Sequence, residues 1–208
     1  PGAAAQAVAA AWRGVVWAQL VRPGAPCAVG TFTSNVDMKT GAPAFGTPEY
    51  MRATQMTGQL CRFYKLPMRS SGVCTANVPD GQAMWETSNS LWAAVQSGTN
   101  LVYHAAGWLE GGLIASPEKF IMDCEILQQI QRYMEPDIYA TTPNEIAFDA
   151  IKKVGNDGHF FGTQHTQERY ATAFYQPFLS FWMNYEGWEL KGSKWTAERA
   201  HLLFKEII

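Results

Sequence analysis

The chain has 208 residues, 47% of them hydrophobic, and sets 16 Lys and Arg against 18 Asp and Glu for a formal charge of -2. A chain of that size can bury a sizeable core in one domain, and with no basic stripe it is not expected to bind nucleic acid. Its apolar stretches are broken well short of the roughly 20 residues that span a bilayer, so no transmembrane helix is expected. Cys27, Cys61, Cys74 and Cys124 contain no close pair of zinc or redox spacing, and a chain this long needs no disulfide staples. Reduced thiols in a cytoplasm are therefore expected, with Cys27 and Cys61 as small core residues.

The alanine-rich residues 3–21 have helical propensity, lack a basic segment before them, and read as a helix entered in mid-protein rather than a signal sequence. Arg22-Pro23-Gly24 stops that helix, and Cys27 to Thr33 alternates like a buried strand. A polar loop, Ser34 to Thr47, leads to Pro48-Glu49, which opens a helix through Tyr64 that Pro67 ends. Met68 to Ser71 reads as the next strand and Gly72 to Pro79 as its loop. Asp80 then caps a helix to Gln96 that Gly98 stops. Leu101 to Ala106 is the third strand, and Ser116-Pro117-Glu118 starts a helix to about Met134. Beyond Pro136 the spacing predicts helices over Thr142 to Val154, Glu168 to Phe181 and Ala197 to Ile207.

Three strand–loop–helix units thus recur at offsets of 41 residues (Pro26 to Pro67) and 33 residues (Pro67 to Asn100), as right-handed βαβ crossovers would. Three parallel strands alone leave two open edges and an uncovered face. The fold class expected is therefore α/β: the later half of a (β/α)8 TIM barrel in residues 1–135, with more protein before it. A helical C-terminal extension in residues 136–208 packs on the same domain. Open edges also predict self-association as a homo-oligomer.

Loops at the carboxyl ends of parallel strands form the ligand-facing rim. One such loop, Leu101 to Leu113, carries Tyr103, His104, Trp108 and Glu110; a second cluster, Gly158 to His165, carries His159, Phe160, Phe161 and His165. His104 at a strand end suits an acid, base or hydrogen-bonding role, against the plainer reading of a histidine satisfied in packing. Glu110, followed by Gly111-Gly112, can turn a carboxylate over a cavity, or be a solvated loop residue. Trp108 and Phe160 flank glycines, where packing explains a ring less well than it explains Tyr103 or Phe161. Aromatic faces attract a quaternary ammonium with on the order of 1 to 2 kcal/mol per desolvated contact. His159 and His165 lie six apart without a third ligand, which is no metal-site spacing. In the polar loop after the second strand, Cys74 or Asn77 can reach a substrate; Gln82 and Glu86 read as a solvated first helical turn.

Gly107-Trp-Leu-Glu-Gly-Gly-Leu113, Glu118-Lys-Phe120, Asp123-Cys-Glu125, Gly158-His-Phe-Phe-Gly-Thr163, His165-Thr166, Glu168-Arg-Tyr170 and Phe174-Tyr175 occur in that order. Together they resemble the C-terminal part of the trimethylamine:corrinoid methyltransferase (MttB) family, over about Ser70 to Glu198. The resemblance implies a TIM barrel roughly twice this length. It also implies methyl transfer from a methylated amine to the Co(I) of a corrinoid presented by a separate protein, with no cofactor bound directly. Members specific for trimethylamine carry pyrrolysine on a rim loop, which falls here near Gly72 to Val78. Only ordinary residues stand there, which favours a quaternary amine such as a betaine. On this resemblance Glu110, His104 and His165 are the expected catalytic set, and Tyr103, Trp108, Phe160, Cys74, Asn77 and His159 line the substrate. An acid–base lyase or isomerase on the same barrel, or a non-catalytic truncated fragment, are the alternative readings.

Overall fold

A computed structural model describes residues 2–30, 32–136 and 146–208. The chain divides into two compact units, one of Pro1–Leu127 with Leu179–Ile208 and one of Gln128–Phe178. No helix among the described residues is long and apolar enough to cross a membrane.

In the first unit, helix α1 (Gly2–Val21) leads to strand β1 (Val29–Gly30), and a two-residue antiparallel ladder, β2 (Asn35–Val36) and β3 (Pro43–Ala44), precedes α2 (Pro48–Tyr64). Strand β4 (Met68–Ser71), α3 (Gly81–Gln96) and β5 (Leu101–Tyr103) follow. β1, β4 and β5 pair in parallel in that order, with a helix between each consecutive pair. The fold is mixed α/β around this three-stranded sheet. The helix ends follow local chemistry: the Thr47 hydroxyl accepts the Tyr50 N–H ahead of Pro48, and the Asp80 carboxylate accepts the Ala83 N–H. Lys65 closes α2 in the left-handed conformation just before Pro67.

Alternation along the strands separates two faces. Val29 and Met68 turn to the helices and pack with Cys61, backed by Ala11, Val15 and Leu66. On the same unit α4 (Pro117–Met134) contributes Ile121 and Met122 to a cluster with Leu179 and Ala200, the latter from the C-terminal helix α8 (Thr196–Ile207). Each fully buried Ile, Met or Leu there contributes about 1.5 to 3 kcal/mol. The Glu125 carboxylate accepts the Leu179 N–H and the Ser180 hydroxyl, fastening the returning chain to α4.

Several boundaries differ from those the sequence suggests. Among the described residues the first strand covers Val29–Gly30, and the third ends at Tyr103, because His104 leaves extended geometry at φ 49°. The Ser34–Thr47 loop holds the β2–β3 ladder, and Trp108–Leu109 (β6) pairs with Ile114–Ala115 (β7) around a 3-10 turn at Glu110–Gly112. In the second unit the helix expected over Glu168 to Phe181 is absent: α6 spans Gln164–Arg169, and Pro177, which has no N–H to donate, lies where that helix would have continued. The helix expected from Thr142 starts outside the described residues; α5 is seen over Phe148–Val154. A short helix, α7 (Tyr185–Leu190), occupies a stretch for which the sequence predicts no element.

Candidate functional site

The site is built where β4 and β5 hand the chain to their loops. Ser71 ends β4 beside Tyr103, its register partner on β5. The next residue, His104, takes a left-handed backbone at φ 49°, and its Nδ1 meets the Ser71 hydroxyl at 2.9 Å. Ring contacts hold the imidazole on three sides: Trp108 at 5.4 Å and 90°, Tyr103 at 6.3 Å and Phe32 at 6.4 Å between centroids. Gly112, at φ 94°, brings its backbone alongside; a Cβ there would sit 3.4 Å from the imidazole Nε2. Burial, and then the Arg69 guanidinium, push the His104 pKa below its ordinary value. The ring is therefore neutral near pH 7, a hydrogen-bonding group rather than a cation.

Glu110 also has a left-handed backbone, at φ 48°, and its side chain is exposed. A non-glycine residue in this region stores strain, and such residues concentrate at functional sites. What holds Glu110 there is the preceding loop: its N–H donates to the Ala76 carbonyl at 2.9 Å, and the Gly111 N–H donates to the Cys74 carbonyl at 2.8 Å.

The Gly72–Val78 segment is rigidly fastened. The Gly72 N–H donates to the Tyr103 carbonyl, and the Ser90 hydroxyl donates to the Val73 carbonyl. One oxygen of the Glu86 carboxylate accepts both the Thr75 N–H at 2.7 Å and the Ala76 N–H at 3.0 Å, and the other accepts the Gln82 amide. The reading of Glu86 as a solvated residue is thus corrected: it is buried on the same stripe of α3 as Ala83, Thr87, Ser90 and Leu91. That 3.6-residue period is a signal the sequence carries. Cys74 is fully buried with Ala76, Ala83 and Leu109, and its thiol donates to the Trp108 carbonyl. Burial raises the thiol's pKa, so Cys74 packs the loop and presents no surface to a ligand here. Asn77, three residues further on, is exposed.

Beneath the 104–108 turn lies a buried ion pair. Lys119 Nζ bonds Asp123 and the Thr87 hydroxyl, while the other Asp123 oxygen accepts the Gly107 N–H at 2.9 Å. Burial pushes the Asp123 carboxyl up, and the Lys119 ammonium and the Gly107 N–H pull it back. The pair fixes the base of the turn that carries Trp108.

Tyr103, His104 and Trp108 are therefore brought together, with Glu110, Cys74 and Asn77 on the loops bonded to them. His159, Phe160 and His165 belong to the second unit. There His159 lies 5.4 Å from the Phe161 ring, both exposed like Phe160. His165 stands on α6 behind the Thr163 cap, and its Nε2 is enclosed without a partner. It lines a cavity of about 660 Å³ with Lys153, Glu168 and Arg169. Among the described residues no three His, Cys, Asp or Glu side chains are grouped as metal ligands would be.

A family model described as trimethylamine methyltransferase (MTTB) matches residues 1–208. Over 196 residues the chain is 37% identical to a glycine betaine methyltransferase of Desulfitobacterium hafniense (strain Y51), covering 94% of this chain and 40% of that relative. It is 30% identical to a trimethylamine methyltransferase MttB2 of Methanosarcina mazei over 94% of this chain and 39% of that protein. It is also 30% identical to a trimethylamine methyltransferase MttB of D. hafniense (strain DSM 10664 / DCB-2), over 90% and 37%. The chain thus spans about 40% of the length of the curated relatives it matches. All three are named methyltransferases; none is named as a lyase or an isomerase.

Proposed function

The chain belongs to the trimethylamine methyltransferase (MTTB) family, and on that premise we propose that it serves methyl transfer from a quaternary amine such as a betaine to the Co(I) of a corrinoid protein. The observation that carries this reading is the convergence of a neutral imidazole and the Trp108 ring at the ends of two parallel strands. A ring face attracts a quaternary ammonium, and an uncharged histidine beside it adds no repulsion. The ordinary residues of the Gly72–Val78 loop, and the glycine betaine methyltransferase among the relatives, favour a quaternary over a tertiary amine.

The corrinoid is a co-substrate here, and its Co(I) is a strong nucleophile toward a methyl carbon. A quaternary nitrogen keeps the electron pair of the broken C–N bond and departs as a neutral tertiary amine, so no proton has to reach the leaving group. What remains for the protein is to orient the ammonium and exclude water, worth up to about 7 to 11 kcal/mol when the attack geometry is set. In this reading Trp108 walls the ammonium, with Tyr103 behind it and Glu110 supplying a counter-charge. His104 stands beside the ammonium as an uncharged hydrogen-bonding group, and Asn77 completes the substrate contacts. The set acts on a (β/α)8 barrel of which β1, β4 and β5 are later strands, with residues 136–208 as its helical extension, in a homo-oligomeric cytoplasmic enzyme.

The test is a thermal-shift screen of glycine betaine, proline betaine, carnitine, choline and trimethylamine, followed by a Co(I) methylation assay with the best hit. A quaternary amine should raise the melting temperature and donate its methyl; no shift with any of the five would overturn the reading.

A further inference from the structure

The two faces of the parallel sheet differ in one charged residue. Met68 and Ser70 of β4 are buried on the helix-packed side, whereas Arg69 lies on the other, beside Gly30 of β1 and Leu101 of β5. This open face continues through Tyr103, which is 47% exposed, to the His104 site. The Arg69 guanidinium carbon stands 4.3 Å from the Tyr103 ring centroid and 5.7 Å from that of Phe32. Gly30 makes room for it: a Cβ there would meet Arg69 Cδ at 2.9 Å. Two aromatic rings and a glycine berth thus hold a planar cation in place. Among the described residues, none of the ion pairs or side-chain hydrogen bonds involves it.

A half-buried guanidinium stacked on rings but lacking an anion is a preformed fork for a carboxylate, because its N–H groups match the two carboxylate oxygens while the rings occupy its faces. Its charge also falls on His104, which places it within electrostatic reach of the proposed ammonium site. A cation so close would repel a substrate that is only positive. It would favour one carrying both signs.

Resting on the methyl-transfer reading above, we propose that Arg69 is the specificity-determining residue of this site: it binds the carboxylate of a zwitterionic quaternary amine and so selects betaines over choline-like or simple methylamines. Trp108 takes the trimethylammonium end, and Arg69, aligned by Tyr103 and Phe32, takes the acid.

Glycine betaine and choline share the trimethylammonium head and differ in carrying a carboxylate or a hydroxymethyl group, so their affinity ratio isolates the contribution of Arg69. Calorimetric titration of the full chain should show betaine bound about tenfold to a hundredfold more tightly than choline, the range for a hydrogen-bonded charged partner. Arg69→Gln should erase the ratio by weakening betaine while leaving choline no weaker than before. Arg69→Lys should fall between, keeping the charge without the fork. Equal affinities in the parent chain, or a ratio that survives Arg69→Gln, would overturn the role of Arg69 and leave the methylamine reading standing. Failure to bind either amine would overturn both. The parent's own ratio decides the matter even if Arg69→Gln does not fold.

Discussion

The Ser71 hydroxyl and the His104 Nδ1 lie 2.9 Å apart, linking the end of one parallel strand to the first residue beyond the next. The contact sets the ring's azimuth toward Trp108, and the same Ser71 contributes its carbonyl to the buried Tyr50 hydroxyl. Ser71→Ala should cost about 1 kcal/mol of stability and loosen substrate binding while leaving the fold intact, as read by denaturant midpoint and by titration calorimetry side by side.

His104 gives a pH dependence of known sign. Its pKa in the folded chain lies below the ordinary 6.5, through burial first and Arg69 second. Between the two values the unfolded chain holds the extra proton, so the contribution to stability is complete above about pH 6.5 and is lost as the pH falls through the folded value. An NMR titration of the imidazole should place it below 6.5, and Arg69→Gln should move it upward. A midpoint at or above 6.5 in the parent chain would contradict the burial and charge arguments together.

Glu86 is the residue whose loss should most disturb the Gly72–Val78 loop. Glu86→Ala leaves the Thr75 and Ala76 N–H groups without their acceptor. The cost expected is about 2 to 4 kcal/mol, since a buried donor forfeits both its bond and its hydration. Hydrogen exchange at those two amides should accelerate more than at the centre of α3. Unchanged protection would show that another group holds the loop.

Lys119 and Asp123 are both essentially inaccessible. Removing one partner strands the other, so Lys119→Met and Asp123→Ala should each destabilise by about 3 to 5 kcal/mol, far more than an exposed pair would. Asp123→Ala also releases the Gly107 N–H, and should therefore loosen Trp108. Intrinsic fluorescence of the two variants, corrected for folded fraction, separates that local effect from global loss.

Cys74 should resist alkylation in the native chain, because its thiol is fully enclosed and burial raises its pKa. Cys27, which is only partly covered, should label first. Mass spectrometry of tryptic peptides after brief iodoacetamide treatment checks the order. Rapid native labelling of Cys74 would return it to the substrate contacts.

Helices α2 and α3 and strand β4 were legible in the sequence because their signals are local. A capping Thr or Asp, a proline at the first turn and a stop residue act within a few positions of themselves. The third strand was overrun by three residues, since what ends β5 is the turn of His104 into left-handed geometry, supported by contacts with Ser71 and Trp108 from elsewhere in the chain.

The candidate residues Tyr103, His104, Trp108 and Glu110 could be found from one glycine-rich strand end, because they are neighbours in sequence. The residues that position them could not. Arg69 looks like any strand charge until Gly30 and Tyr103 are set on either side of it, and Glu86 looks like a helix-surface acid until the loop it bonds folds over it. Sequence alone determined the elements and the kind of chemistry their side chains can offer, because propensity and residue type are properties of short stretches. Tertiary structure decided which charges are buried, which are paired and which face open space, because those depend on groups brought together across 10 to 40 residues of chain.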